Sequence, residues 1–196
     1  MPVKTIKCDN GNVIKIYPEK YPTNPREEFD HFGHMYCSHR RYSLGDKHTY
    51  DSEIISAMAQ DRDTIALPLY LMDHSGLTLR TTTEEFRAVD TAGWDWGLVG
   101  YILVTKREIR AEYNCKLVTK KIRDKVLELL RAEVEEYGHY LAGEVYGFVV
   151  EDSRGNRIDS CWGFYGMDAV LADVKGVDGC GNCADGCENC AVSCGS

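Results

Sequence analysis

The sequence predicts an α+β fold: a mainly antiparallel sheet built from hairpins, packed against one long and several short helices, with a Cys/Gly-rich C-terminal tail. Three observations predict it. Runs of β-branched residues arrive in pairs around short turn signals, which is how antiparallel strands are joined. Helical patterns fall between these pairs instead of alternating with single strands, as a parallel doubly wound sheet would require. One long amphipathic pattern begins near Thr119 and runs to Leu141.

Taken in order, VKTIKC and NVIKIYP flank Asp9-Asn10-Gly11 and predict an N-terminal hairpin. Asn24-Pro25 suits a helix cap followed by a first-turn proline. The segment behind it, rich in histidine and aromatics, is broken by Gly33 and by Ser43–Asp46 into a broken helix or an ordered loop. Asp51 or Ser52 caps a short helix with Ile54, Ile55, Met58 and Ala59 on one face. Thr64–Asp73 and Leu77–Thr83 form a second hairpin around His74-Ser75-Gly76, with Pro68 pushing its strand towards an edge or a bulge.

Leu98–Thr105 is the most apolar short run and predicts a central strand, followed by a charged helix from Lys106 to Tyr113. In the long helix, Ile122, Val126, Leu129, Leu130, Val134, Tyr137 and Leu141 recur at helical spacing while charged residues fill the other face. VYGFVVED and RIDSCWGFYG make a third hairpin across Ser153–Asn156, and Met167–Val174 a closing helix.

Cysteine placement divides the chain. Five of its nine cysteines lie beyond Lys175, in a stretch with three acids and no lysine or arginine. Residues 1–175 are expected to form the globular domain, and 176–196 a flexible acidic tail too poor in large apolar residues for a core of its own. The tail spacing, Cys180-x2-Cys183-x3-Cys187-x2-Cys190-x3-Cys194, offers two thiolate pairs of the kind that hold zinc or Cu(I). The opposing reading is a thiol-rich tail that binds metal opportunistically or not at all.

Net charge is −8 across 196 residues, which argues against bulk nucleic-acid binding. No apolar run reaches the roughly 18 residues of a membrane span, and the start lacks a secretory h-region, so a cytoplasmic location is expected. No P-loop, dinucleotide fingerprint, nucleophile elbow or kinase signature occurs.

Several residues have usable chemistry. His39, Asp46, Asp73 and His74 are the candidates for acid–base work, because an aspartate beside a histidine orients the imidazole. Arg40 and Arg41 can grip a phosphate or carboxylate in bidentate fashion, or make internal ion pairs. Trp94, Asp95 and Trp96 can stack on a ligand or on a partner's side chain, or close the core at the start of a strand. His31 and His34 would share a face if their segment were helical, with Asp30, Cys37 and His39 nearby, whereas the surrounding aromatics favour packing.

The blocks NPREEFDHFGHMYCSHRRYSLGD, LPLYLMDHSGLTL, WDWGLVGYILVTK, VYGFVVED and DSCWGFYG, in this order from Asn24 to Gly166, resemble a family of uncharacterised proteins encoded by tailed bacteriophages and prophages. The resemblance implies a phage accessory protein acting in the cytoplasm of an infected bacterium. It transfers no catalytic or ligand role to any position, and the Cys-rich tail lies outside its pattern. The function expected is therefore non-enzymatic binding of a host or phage macromolecule. The alternative is a small hydrolase or nuclease using the Asp/His residues; a third is metal binding, zinc first, through the five tail cysteines.

Overall fold

The computed structural model describes residues 1–176. Its elements, in chain order, are β1 Lys4–Lys7, β2 Val13–Pro18, α1 Pro25–Glu28, β3 His34–Cys37, α2 Ser52–Gln60, β4 Thr64–Asp73 and β5 Leu77–Arg80. There follow α3 Glu84–Val89, β6 Trp96–Thr105, α4 Lys106–Glu112, α5 Lys120–Ala142, β7 Val145–Glu151, β8 Arg157–Tyr165 and α6 Met167–Val174. The α+β class is as the hairpin pattern predicts, with two antiparallel four-stranded sheets in place of one. Within the 1–175 span the chain forms two compact units. The tail expected over 176–196 lies, from residue 177 on, outside the described residues.

Among the described residues, one unit joins Met1–Pro22 to residues 143–176. Its sheet runs β1-β2-β7-β8, every neighbouring pair antiparallel. Alternation puts Ile14, Ile16, Phe148 and Val150 on one face, where Val170 and Val174 of α6 complete a core. Each such side chain contributes roughly 1.5–3 kcal/mol by leaving water.

The other unit, Thr23–Ala142, carries the sheet β3-β6-β4-β5. β6 lies between β3 and β4, as its apolar run predicts, and Ile102, Leu103 and Val104 are at most 2% exposed. Pro68 sits where the missing N–H does least harm: β5 pairs with β4 only over Tyr70–Asp73, and a register shift falls between Leu69 and Tyr70. The long helix α5 lays Val126, Leu130, Val134 and Tyr137 into a core shared with Met35, Leu69, Leu79 and Ile102. Asp51 caps α2 by accepting from the amides of Glu53 and Ile54 at 3.1 and 2.9 Å. Thr105 and Glu108 form a reciprocal capping box that starts α4 directly from the end of β6.

Two elements differ from expectation. The histidine-rich segment is helical only over α1; His34–Cys37 then pairs with β6 as a strand, so His31 and His34 share no helical face. The polar stretch before Trp94 contains α3, whose Phe86 is buried and draws it onto the unit.

Candidate functional site

The site lies at one end of the Thr23–Ala142 sheet. β4 and β6 pair down to Met72 opposite Trp96, and one step further the Asp73 N–H donates to the Asp95 carbonyl at 2.8 Å. Asp73 and Asp95 thus stand directly opposite each other on one face, an arrangement that destabilises a sheet unless the charges are offset. Each carboxylate has its own basic neighbour. Arg41 Nη2 lies 2.5 Å from Asp73 Oδ2, and the Tyr42 hydroxyl donates to the same oxygen at 3.1 Å. His74 Nδ1 lies 2.8 Å from Asp95 Oδ2.

The loop after β3 brings its groups in as a stacked set. Arg41 lies over the Tyr42 ring at 5.5 Å, the His39 ring stacks on Tyr42 at 5.0 Å, and His39 Nδ1 accepts from the Arg41 amide at 3.3 Å. Arg40, exposed, lines a neighbouring concavity of about 500 Å³ along Cys37–Tyr50 that it shares with Asp46 and His48.

Trp94 is presented by a loop that Asp90 holds. One Asp90 oxygen accepts from the amides of Ala92 and Gly93, both at 3.1 Å, and the other from the Asp95 amide at 2.9 Å. These donors, the Asp95 amide foremost, hold the Asp90 carboxyl below its ordinary range. The Asp90 carbonyl also accepts from Trp96 Nε1 at 3.0 Å, and the Trp96 ring rests near Tyr70 and Phe86. The two tryptophans are therefore unlike. Trp96 anchors the loop, while Trp94 stands 87% exposed at its tip.

Together these pieces bound a cleft of about 260 Å³. Leu71, Asp73, Asp95 and Gly97 alternate along one face of the paired strands as its floor, with His39, Arg41 and Trp94 around them. A side chain at Gly97 would project into open space, so glycine leaves that floor unfilled.

Of the residues singled out from sequence, His39, Arg41, Asp73, Trp94, Asp95 and Trp96 meet in this cleft, and His74 joins it through Asp95. Asp46 is placed elsewhere. Its oxygens accept from Arg26 Nε and Nη2 at 2.8 and 2.9 Å and from the Met35 amide at 2.8 Å, and it lines the neighbouring concavity, to which His39 and Arg41 also contribute. His31 and His34 bond to different acids, Glu136 and Glu108, at 3.0 and 2.9 Å. Among the described residues no group of three His, Cys, Asp or Glu side chains is arranged to hold a metal. Cys180, Cys183, Cys187, Cys190 and Cys194 lie outside the described residues, and no described helix is long and apolar enough to cross a membrane.

Asp90 and Gly97 escape the sequence reading. The only local signal for Asp90 is the turn pattern Asp90-Thr91-Ala92-Gly93, an aspartate followed by a glycine that takes positive φ. No family model, curated protein or solved structure matches this chain.

Proposed function

We propose that the chain is a non-enzymatic accessory protein of the phage type that binds a host or phage macromolecule in the bacterial cytoplasm, using the Trp94 cleft as its recognition surface. The observation that carries this reading is the contrast between Trp94's 87% exposure and the fixed loop beneath it. Nothing in folding rewards a tryptophan left in water. An indole offers roughly 150–250 Å² to a partner, on the order of 4–6 kcal/mol if wholly covered at about 25 cal/mol per Å². A loop already held by Asp90 loses little freedom on binding, and charged groups paired around the cleft form the polar rim that surrounds such an anchor.

The test is affinity capture from a bacterial lysate with three forms of the chain: unchanged, Trp94→Ala and Trp162→Ala. Trp162 is the control, an exposed tryptophan in the other unit. A retained macromolecule that disappears only with Trp94→Ala supports the reading. Retention unaffected by Trp94→Ala contradicts it.

A further inference from the structure

The chemistry of the cleft specifies more than a hot spot, and its assignment rests on that cleft being the recognition surface. Asp73 uses Oδ2 for both Arg41 and Tyr42, and Asp95 uses Oδ2 for His74. These bonds all end on Oδ2, which leaves Oδ1 of each carboxylate for a ligand. Two opposed carboxylates, each with an unused oxygen, thus face a cleft walled by an exposed indole.

We infer that this cleft receives a guanidinium: an arginine side chain of a basic protein partner, laid against the Trp94 ring and donating to the unused oxygens of Asp73 and Asp95. A guanidinium is planar, stacks on aromatic faces, and carries several N–H donors in a fixed fork. It is also more weakly hydrated than an ammonium, so it enters a half-enclosed cleft more readily. The protein already contains this arrangement once. Arg41, which lines the same cleft, lies 5.5 Å over the Tyr42 ring while its Nη2 meets Asp73. A second guanidinium on the Trp94 side would place a further cation beside Asp73 and Asp95, whose like charges stand opposite each other. Anionic ligands fit less well. A phosphate or a nucleotide would meet two carboxylates, and Arg41, the nearest cation, is already committed to one of them. The net charge of −8 would steer a basic partner towards the protein.

The experiment titrates the full chain with two dodecapeptides of equal positive charge, one carrying arginine and the other lysine in a Gly/Ser background, and with a single-stranded oligonucleotide. Tryptophan fluorescence and calorimetry are the readouts. The arginine peptide should bind roughly twofold to fivefold more tightly than the lysine peptide, the margin of an exposed cation–π contact. Trp94→Ala and Asp95→Asn should each remove that preference. Gly97→Val fills the floor at a position where an added Cβ meets no atom within 4 Å, so it should leave the fold intact and weaken the arginine peptide at least to the affinity of the lysine peptide. Equal affinity for the two peptides would overturn the assignment as bulk electrostatics, as would unchanged affinity in Gly97→Val or oligonucleotide binding that Trp94→Ala abolishes. Loss of the arginine preference alongside Trp94-dependent capture from lysate would refute the guanidinium and leave the recognition surface standing.

Discussion

Arg26 and Glu133, 107 positions apart in the chain, meet in an ion pair of 3.0 Å whose side chains are only 2% and 7% exposed. Both partners have further bonds. Arg26 also donates to both oxygens of Asp46 and to the Gly33 carbonyl, and Glu133 accepts from the amides of Phe32 and Gly33. Glycine at position 33 leaves room for the packing here, because a methyl group would press on the Leu130 and Ile102 side chains. This network ties α1 and the loop into β3 onto α5. Removing one partner of a buried, satisfied pair strands the others without compensation.

Arg26→Ala is therefore expected to cost about 3–5 kcal/mol of stability, measured by urea unfolding. Arg26→Lys should recover little of it, since an ammonium lacks the planar fork that serves Asp46 and Glu133 together. A loss below about 1 kcal/mol, the range of exposed pairs, would show that the network is incidental.

Acid should weaken the α4 cap in a defined window. Burial disfavours the charged form of Glu108, yet the hydroxyl and amide of Thr105 together with His34 outweigh it and hold the carboxyl at about 2, against an ordinary 4.5. A carboxylate depressed by folding contributes stability that is complete above its unfolded value and lost as pH falls through the folded one. Stability should fall from about pH 4.5 towards pH 2 in the unchanged chain, and fall less steeply there in Glu108→Gln. Parallel curves from pH-dependent thermal unfolding would contradict this.

The same physics separates the cysteines of the described residues. Burial pushes the Cys37 thiol up to about 12, and Cys8 is also buried, whereas Cys161 is exposed. Brief alkylation at pH 8 followed by peptide mapping should label Cys161 and spare Cys8 and Cys37, because the thiolate is the reacting form. Equal labelling of Cys37 and Cys161 in the native chain would contradict the placement of Cys37 in the core.

Asp90→Ala should loosen the Trp94 loop without touching a partner. Amide exchange at Ala92, Gly93 and Asp95 is expected to accelerate while that of β6 stays unchanged, and capture of the partner should weaken as the anchor loses its fixed position. Unchanged exchange at the three amides would mean that another contact holds the loop.

Much of the fold is legible in the sequence because local chemistry and burial agree. Asp9-Asn10-Gly11 between β-branched runs and the periodicity of α5 lead to elements the structure adopts, and of the two capping residues open for α2, Asp51 and Ser52, the structure uses Asp51. β3 is obscure because HMYC is four residues long and mixes histidine with aromatics, so only its pairing with β6 makes it a strand. α3 is hidden by Thr and Glu around a single buried Phe86. Glu133 looks like Glu135 in sequence, and burial by Arg26 and the Gly33 amide distinguishes it only in three dimensions. For the site, residue types point to Trp94, Asp95, Asp73 and Arg41 but not to their grouping. That grouping depends on the β4–β6 register, which sets Asp73 opposite Asp95, and on Asp90, which acts through backbone amides. Asp46 falls outside the group because a buried arginine twenty positions away claims both its oxygens.

The most direct measurement of the Trp94 cleft as a recognition surface is a hydrogen-exchange footprint of the full chain with and without its captured partner. Slowed exchange is expected to concentrate at His39–Tyr42, Leu71–Asp73 and Trp94–Val99, the segments around the cleft. Protection that spares all three segments, with partner bound, would show that the partner is recognised elsewhere.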